Sequence, residues 1–149
     1  IISSAIKQFW KDTLWGDLDY LIIDMPPGTG DAAITIMQGI PINGLVMISV
    51  PQDMVSMIVA KAVNMAKRLN IKVLGIIENM SYILCPCCDN KIKLFNAGNT
   101  DAMIKEMNLE LLGEIPMIEA ISSIPSKGYD DEDKALDEIF SPIVEKIIK

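Results

Sequence analysis

The sequence contains no histidine. That excludes Ser-His-Asp triads, Cys-His dyads and histidine-bearing metal sites within these 149 residues. Cysteine is scarce too: there are three, all between positions 85 and 88, so no disulfide ties distant segments together. This usage fits a reducing cytoplasm better than a secreted framework, and no signal-peptide pattern is present; a cytoplasmic location is expected. Positive charge is thin. Lys+Arg 13 against Asp+Glu 20 gives a formal net charge of −7, and the lysines are scattered. A nucleic-acid surface needs clustered positive charge, so no nucleic-acid partner is expected. There are no internal repeats and no linker. The G-x-x-x-x-G-K-[ST] loop is missing from these residues, so the chain by itself should not bind ATP tightly.

What is present is globular in character. Half the residues are hydrophobic and 22% are charged, and a domain of this length buries roughly 70% of its unfolded surface. No charge occurs from Ala32 to Gln52, which raises the question of a membrane span. The middle of that stretch reads Gly39-Ile40-Pro41-Ile42-Asn43-Gly44, a turn signal, so it is read as helix, turn, strand and no membrane partner is expected. The first residue is Ile1 rather than Met, with a helical pattern already running, as expected of a fragment or a processed product.

Short unalternating apolar runs mark strands covered on both faces. They are Tyr20-Leu21-Ile22-Ile23-Asp24, Leu45-Val46-Met47-Ile48-Ser49-Val50, Val73-Leu74-Gly75-Ile76-Ile77 and Leu111-Leu112-Gly113-Glu114-Ile115. Helical spacing links Ile2, Ile6, Phe9, Trp10 and Leu14, with Gly16 as the stop. A second stripe runs through Met54, Ile58, Lys61/Ala62, Met65 and Leu69, and a shorter helix is expected over residues 101–107. A last helix carries Ile139, Ile143 and Ile147, and Pro142 should kink or restart it. The acidic run 130–133 is expected in a solvated loop before that helix, and the ten methionines are read chiefly as core packing. Strands alternating with helices predict an α/β fold with a doubly wound, mostly parallel sheet and flanking helices.

Ligands of such sheets bind outside the carboxyl ends of the strands. After the first run comes Asp24-Met25-Pro26-Pro27-Gly28-Thr29-Gly30-Asp31, and after the third comes Glu78-Asn79-Met80-Ser81; Pro116 follows the fourth. An aspartate closing a buried strand suits a Mg²⁺ shell or an attacking water, and Gly28-Thr29-Gly30 can turn backbone N–H groups toward a phosphate. An ordinary strand-to-helix turn uses the same residue types, and spacing alone does not choose between them. Cys85 and Cys88 form a C-x-x-C pair. It admits a redox pair, simple structural thiols, or half of a four-thiolate metal site completed by a two-fold partner. The last is favoured, because the residues that follow alternate like a hairpin arm rather than opening a helix.

Taken together, Trp15-Gly16-Asp17-Leu18-Asp19-Tyr20, the 24–31 segment, Glu78-Asn79-Met80-Ser81 and Cys85-Pro86-Cys87-Cys88 resemble the Mrp/ApbC family of deviant P-loop ATPases, relatives of MinD and nitrogenase iron protein. The likeness covers nearly the whole chain. It implies a cytosolic homodimer, joined through the cysteine loop, that binds ATP/ADP with Mg²⁺ and carries a [4Fe–4S] cluster, or zinc in its place, to client apo iron–sulfur proteins. It implies that Asp24 is the catalytic switch aspartate, that Gly28, Thr29, Gly30 and Asp31 sense the γ-phosphate, and that Asn79 reads the adenine with Pro116 close by. Cys85 and Cys88 would be the cluster ligands, with Cys87 at the variable position.

Residues 1–149 then correspond to the C-terminal portion of one P-loop ATPase domain, its N-terminal part and phosphate-binding loop missing, with a cysteine-bearing loop at about 80–96. Asp89 and Ile118 depart from the family pattern. The other readings are a non-enzymatic metal-bridged dimerisation module, zinc or iron–sulfur, and a MinD-like positioning ATPase.

Overall fold

A computed structural model describes residues 1–88, 90–95, 98–127 and 134–149. The acidic run expected at 130–133, and Asp89, lie outside the described residues. The chain divides into two compact units, Ile1–Leu45 with Lys61–Val73, and Val46–Ala60 with Leu74–Lys149.

In the first unit, α1 (Ile2–Asp12) lies against α2 (Asp31–Gly39). Thr35 Oγ1 donates to the Asp31 carbonyl at 2.7 Å, so the Ser3 hydroxyl, 2.8 Å from Thr35 Oγ1, is the donor that joins the two helices. The helix ends earlier than Gly16 predicts: Thr13 is already extended, and Leu14 is fully exposed. Trp15 folds back instead, with its Nε1 donating to the Trp10 carbonyl at 3.1 Å and the two rings 5.8 Å apart. Gly16, at φ +66, turns the chain directly after it.

The run at 20–24 is not a strand. It pairs with nothing among the described residues, and Ile22 is 91% exposed. A strand exists only where a neighbour takes its N–H and C=O groups, and apolar character alone cannot supply one. The next stretch does follow its prediction: α2 closes at Gly39, a turn follows, and β1 (Leu45–Ser49) begins.

The second unit holds the sheet, ordered β1-β2-β5, with β2 (Val73–Glu78) and β5 (Leu111–Glu114) parallel. Ile76 pairs with Leu111 and Glu78 with Glu114, so the two strands end on facing glutamates. Between them in the chain lie a small antiparallel hairpin, β3 (Ile83–Leu84) with β4 (Lys91–Ile92), and α4 (Gly98–Glu106). After β5 come α5 (Glu119–Lys127) and α6 (Lys134–Ile147). Ile77, Leu112 and Ile143 form the core that joins α6 to the sheet, with Val46, Ile115 and Ile147 around it. Gly113 lets α6 come this close, because a Cβ there would lie 2.5 Å from Ile143 Cγ1.

Three expectations need correction. In α3 (Asp53–Arg68) the period is right but the phase is not: the buried positions are Ser56, Val59, Val63 and Ala66, whereas Met54 and Ile58 are exposed. Apolar residues lie on several faces of this helix, and the smaller ones occupy the face that packs. Met37, Met47 and Met103 are core, but Met54, Met57, Met80 and Met117 are exposed, so packing accounts for only some of the methionines. Pro142 does not restart α6, which runs through it from Lys134 to Ile147. Proline removes one N–H, a loss that exposed backbone can make good with water, while Leu136 and Ile143 hold the helix on either side.

Candidate functional site

The predicted site residues fall into both units. In the first, Asp24 is exposed on the extended segment after residue 23. Residues 28–31 form the entry to α2. Gly28 has φ +85, a conformation that favours glycine, and a Cβ on Gly28 or Gly30 would meet nothing within 4 Å. Gly30 is the N-cap and offers no side-chain cap, so the first-turn N–H groups of α2 are left without an internal acceptor, beside the acidic Asp31. The dipole at such an end favours an anion.

In the second unit the strand ends continue as a ladder beyond β2 and β5. Asn79 N–H donates to the Ser49 carbonyl at 2.7 Å, Ile115 N–H to Glu78 at 2.8 Å, Ser81 N–H to Ile115 at 3.0 Å and Met117 N–H to Tyr82 at 2.8 Å. This brings Asn79 and Pro116 onto neighbouring strand ends, with Pro116 buried. Asn79 Oδ1 accepts the Met80 N–H at 2.9 Å, and Met80 takes the left-handed φ of +52. The ladder leads straight into the β3–β4 hairpin, whose head carries the cysteines.

Cys85 N–H donates to the Asn90 carbonyl at 3.0 Å, and Cys88 N–H approaches the Cys85 carbonyl at 3.4 Å. All three cysteines are free, with Cys87 and Cys88 exposed and Cys85 partly so. The Cys87 backbone N–H, helped by the Cys88 thiol, draws the Cys85 thiol below its ordinary range, and these outweigh the opposing effect of partial burial. A thiol biased toward thiolate is a better metal ligand and nucleophile.

The sequence reading passed over the polar cluster beneath this hairpin. Glu78 is 2% exposed, and Ser81 Oγ lies 2.8 Å from both Glu78 Oε2 and Glu114 Oε1. Glu114 also faces Lys93 Nζ at 3.4 Å and Lys91 Nζ at 3.9 Å. Desolvation pushes the Glu114 carboxyl up, but the Ser81 hydroxyl and the two lysines outweigh it and hold the group below the usual carboxylate range. The signal was available: two apolar strand runs each carry a glutamate where they pass into a loop, and buried strands rarely spend charge there without a partner.

A parallel sheet with helices and a dithiol on a hairpin define an α/β protein, and its relatives place it in the P-loop NTPase class. The profile of the ParA family described as NUBPL iron-transfer P-loop NTPase matches residues 1–148, and the chain belongs to that family. It is 42% identical to an iron–sulfur cluster carrier protein of Methanocaldococcus jannaschii, over 99% of this chain and 52% of that protein. It is 36% identical to the mouse iron–sulfur cluster transfer protein NUBPL, over 99% and 49% of the two chains. The chain thus spans about half the length of the curated relatives it matches.

Among solved structures, it resembles a nucleotide-binding protein of Archaeoglobus fulgidus in complex with ADP, in which cobalt was found. The TM-score is 0.74 at 40% identity, covering 85% of this chain and 52% of that one. The cell-division ATPase MinD of Pyrococcus furiosus shares the fold, with TM-score 0.64 at 21% identity over 99% of this chain and 56% of that one. Among the described residues, no helix is long and apolar enough to cross a membrane.

Proposed function

We propose that this chain is the C-terminal portion of an ATP-binding iron–sulfur cluster carrier. Its cargo, a [4Fe–4S] cluster, is held by Cys85 and Cys88 together with the same pair from a second copy, and passes to client apo iron–sulfur proteins. The observation that carries the reading is a C-x-x-C pair at the head of a hairpin, with Cys88 exposed and Cys85 partly so, in a member of an iron-transfer family. Two thiolates complete only half of a four-ligand cluster, and a two-fold pairing supplies the rest.

In this reading the phosphate-binding loop comes from protein outside these residues, consistent with the half-length match to relatives. Asp24 is an exposed oxygen donor of the kind Mg²⁺ accepts. The metal, when bound, neutralises phosphate charge. Gly28, Thr29, Gly30 and Asp31 meet the γ-phosphate through backbone N–H groups. Asn79, whose Oδ1 accepts the Met80 N–H, would read the adenine with its Nδ2, and Pro116 sits on the neighbouring strand end.

Anaerobic reconstitution with iron and sulfide tests the cargo site. Cys85→Ser and Cys88→Ser should each abolish the brown chromophore, while Cys87→Ser keeps most of it. Equal loss in all three variants would overturn the ligand assignment.

A further inference from the structure

The β3–β4 hairpin has very little of its own to hold it. Its ladder is two residue pairs, Ile83 with Ile92 and Leu84 with Lys91, and an isolated two-stranded hairpin is at best marginal in water. Its head nevertheless carries the dithiol, whose geometry decides how well a metal is held.

The structure supplies an anchor from another strand. Lys91 and Lys93, on and just after β4, both reach the carboxylate of Glu114 at the end of β5, at 3.9 and 3.4 Å. Lys91 Nζ also sits 4.2 Å over the ring of Tyr82, which is itself buried. Exposed ion pairs contribute little because both partners must be ordered. Here one partner is already ordered: the Glu114 side chain is only 24% exposed and hydrogen-bonds Ser81 Oγ, which is fully buried.

Ser81 has a second carboxylate in reach, that of buried Glu78, whose Oε1 has no partner among the described residues. One hydroxyl hydrogen serves two acceptors, so Ser81 donates to only one at a time. The anchor therefore begins in residues 78–81, the segment that carries Asn79.

We propose that Glu114 is the positioning residue of the cysteine pair: through Lys91 and Lys93 it latches the hairpin onto the sheet, and through the Ser81 hydroxyl the latch is tied to the Asn79 segment. Glu114 touches neither cysteine nor cargo. It acts by limiting how far the hairpin opens, so that Cys85 and Cys88 meet a metal with their spacing already set. The ion pairs are half-exposed on the lysine side, 55% and 48%, so the latch is weak enough to release. This rests on the reading of Cys85 and Cys88 as metal ligands.

The test uses the whole chain, reduced and anaerobic, with Co²⁺ alone as the probe and the thiolate-to-cobalt absorption as the readout. Glu114→Gln keeps shape and loses charge; Lys91→Met with Lys93→Met removes the other side and touches only exposed positions. Each is expected to weaken Co²⁺ binding about tenfold, the effect of two or three weak contacts acting together. Each should also reduce the loss of affinity that added salt causes in the wild type, because the latch's share of the screened charge pairs is gone. Lys105→Met, an exposed charge on α4, should change neither. Wild-type affinity and salt dependence in both latch variants would overturn the proposal.

A second readout separates this failure from failure of the metal reading. Hydrogen exchange at the Cys85 amide, which donates to Asn90, needs no metal and should speed up about tenfold in the latch variants. If the wild type gives no thiolate–cobalt band, the metal reading falls. Unchanged exchange would sink the latch on its own.

Discussion

Gly113 and Ile143 offer a direct test of how α6 is seated. A Cβ added at Gly113 would lie 2.5 Å from Ile143 Cγ1 and 2.7 Å from Cδ1, with Cβ of Ile143 at an ordinary 3.8 Å. Ile143 is 3% exposed and packed in the core, so its side chain has nowhere to go, and Gly113→Ala should cost about 1–3 kcal/mol through overpacking. Ile143→Ala deletes Cγ1, Cγ2 and Cδ1. At roughly 0.8 kcal/mol per buried carbon the transfer loss is about 2.4 kcal/mol, and the residual cavity raises it to about 3–4 kcal/mol.

Summed as independent changes, the two substitutions would cost about 4–7 kcal/mol. The double variant should do much better, because the two atoms that clash are the atoms the second change removes. Its loss should be no greater than that of Ile143→Ala alone, a coupling of about 1–3 kcal/mol. Urea unfolding followed by far-UV circular dichroism measures it, with comparison restricted to variants whose denaturant slopes agree. A double variant whose loss equals the sum within about 0.5 kcal/mol would refute the packing argument.

Gly75→Ala should also destabilise, by about 2–3 kcal/mol. Its Cβ would fall 2.5 Å from the Glu110 carbonyl oxygen, which is held by the Ile76 N–H at 2.8 Å and cannot retreat without breaking that bond. A melting temperature equal to that of the wild type would contradict this. Glu114 predicts a pH dependence. Because its carboxyl is held below the usual range in the fold, its contribution is complete above the ordinary glutamate value of about 4.3 and is lost as pH falls through the lowered value. Glu114→Gln should therefore flatten the acid limb of the stability curve below about pH 4; parallel limbs for wild type and variant would rule it out.

Much of the fold was legible in the chain. The apolar runs at 45–50, 73–77 and 111–115 became β1, β2 and β5, as short continuous apolar runs in an α/β pattern do. The run at 20–24 has the same character and is no strand among the described residues, since pairing depends on a neighbour and not on the run itself. In α3 the periodicity was readable but the buried face was not. With Met54, Ile58, Val59 and Val63 distributed around the helix, only packing selects the face.

The candidate site divides in the same way. The cysteine spacing, Asp24, the 28–31 turn and Asn79 are local patterns, and the proposal for each starts from residue type and order. The Glu78–Ser81–Glu114 cluster and its two lysines could not. Ser81 and Glu114 are 33 positions apart, and only the parallel register of β2 with β5 brings them to 2.8 Å. The sequence alone determined the α/β class, the dithiol and the turns suited to phosphate, because those follow from short-range pattern. Tertiary structure decided which faces are buried and what holds the cysteine hairpin, because burial and ion pairing depend on which distant residues the fold makes neighbours.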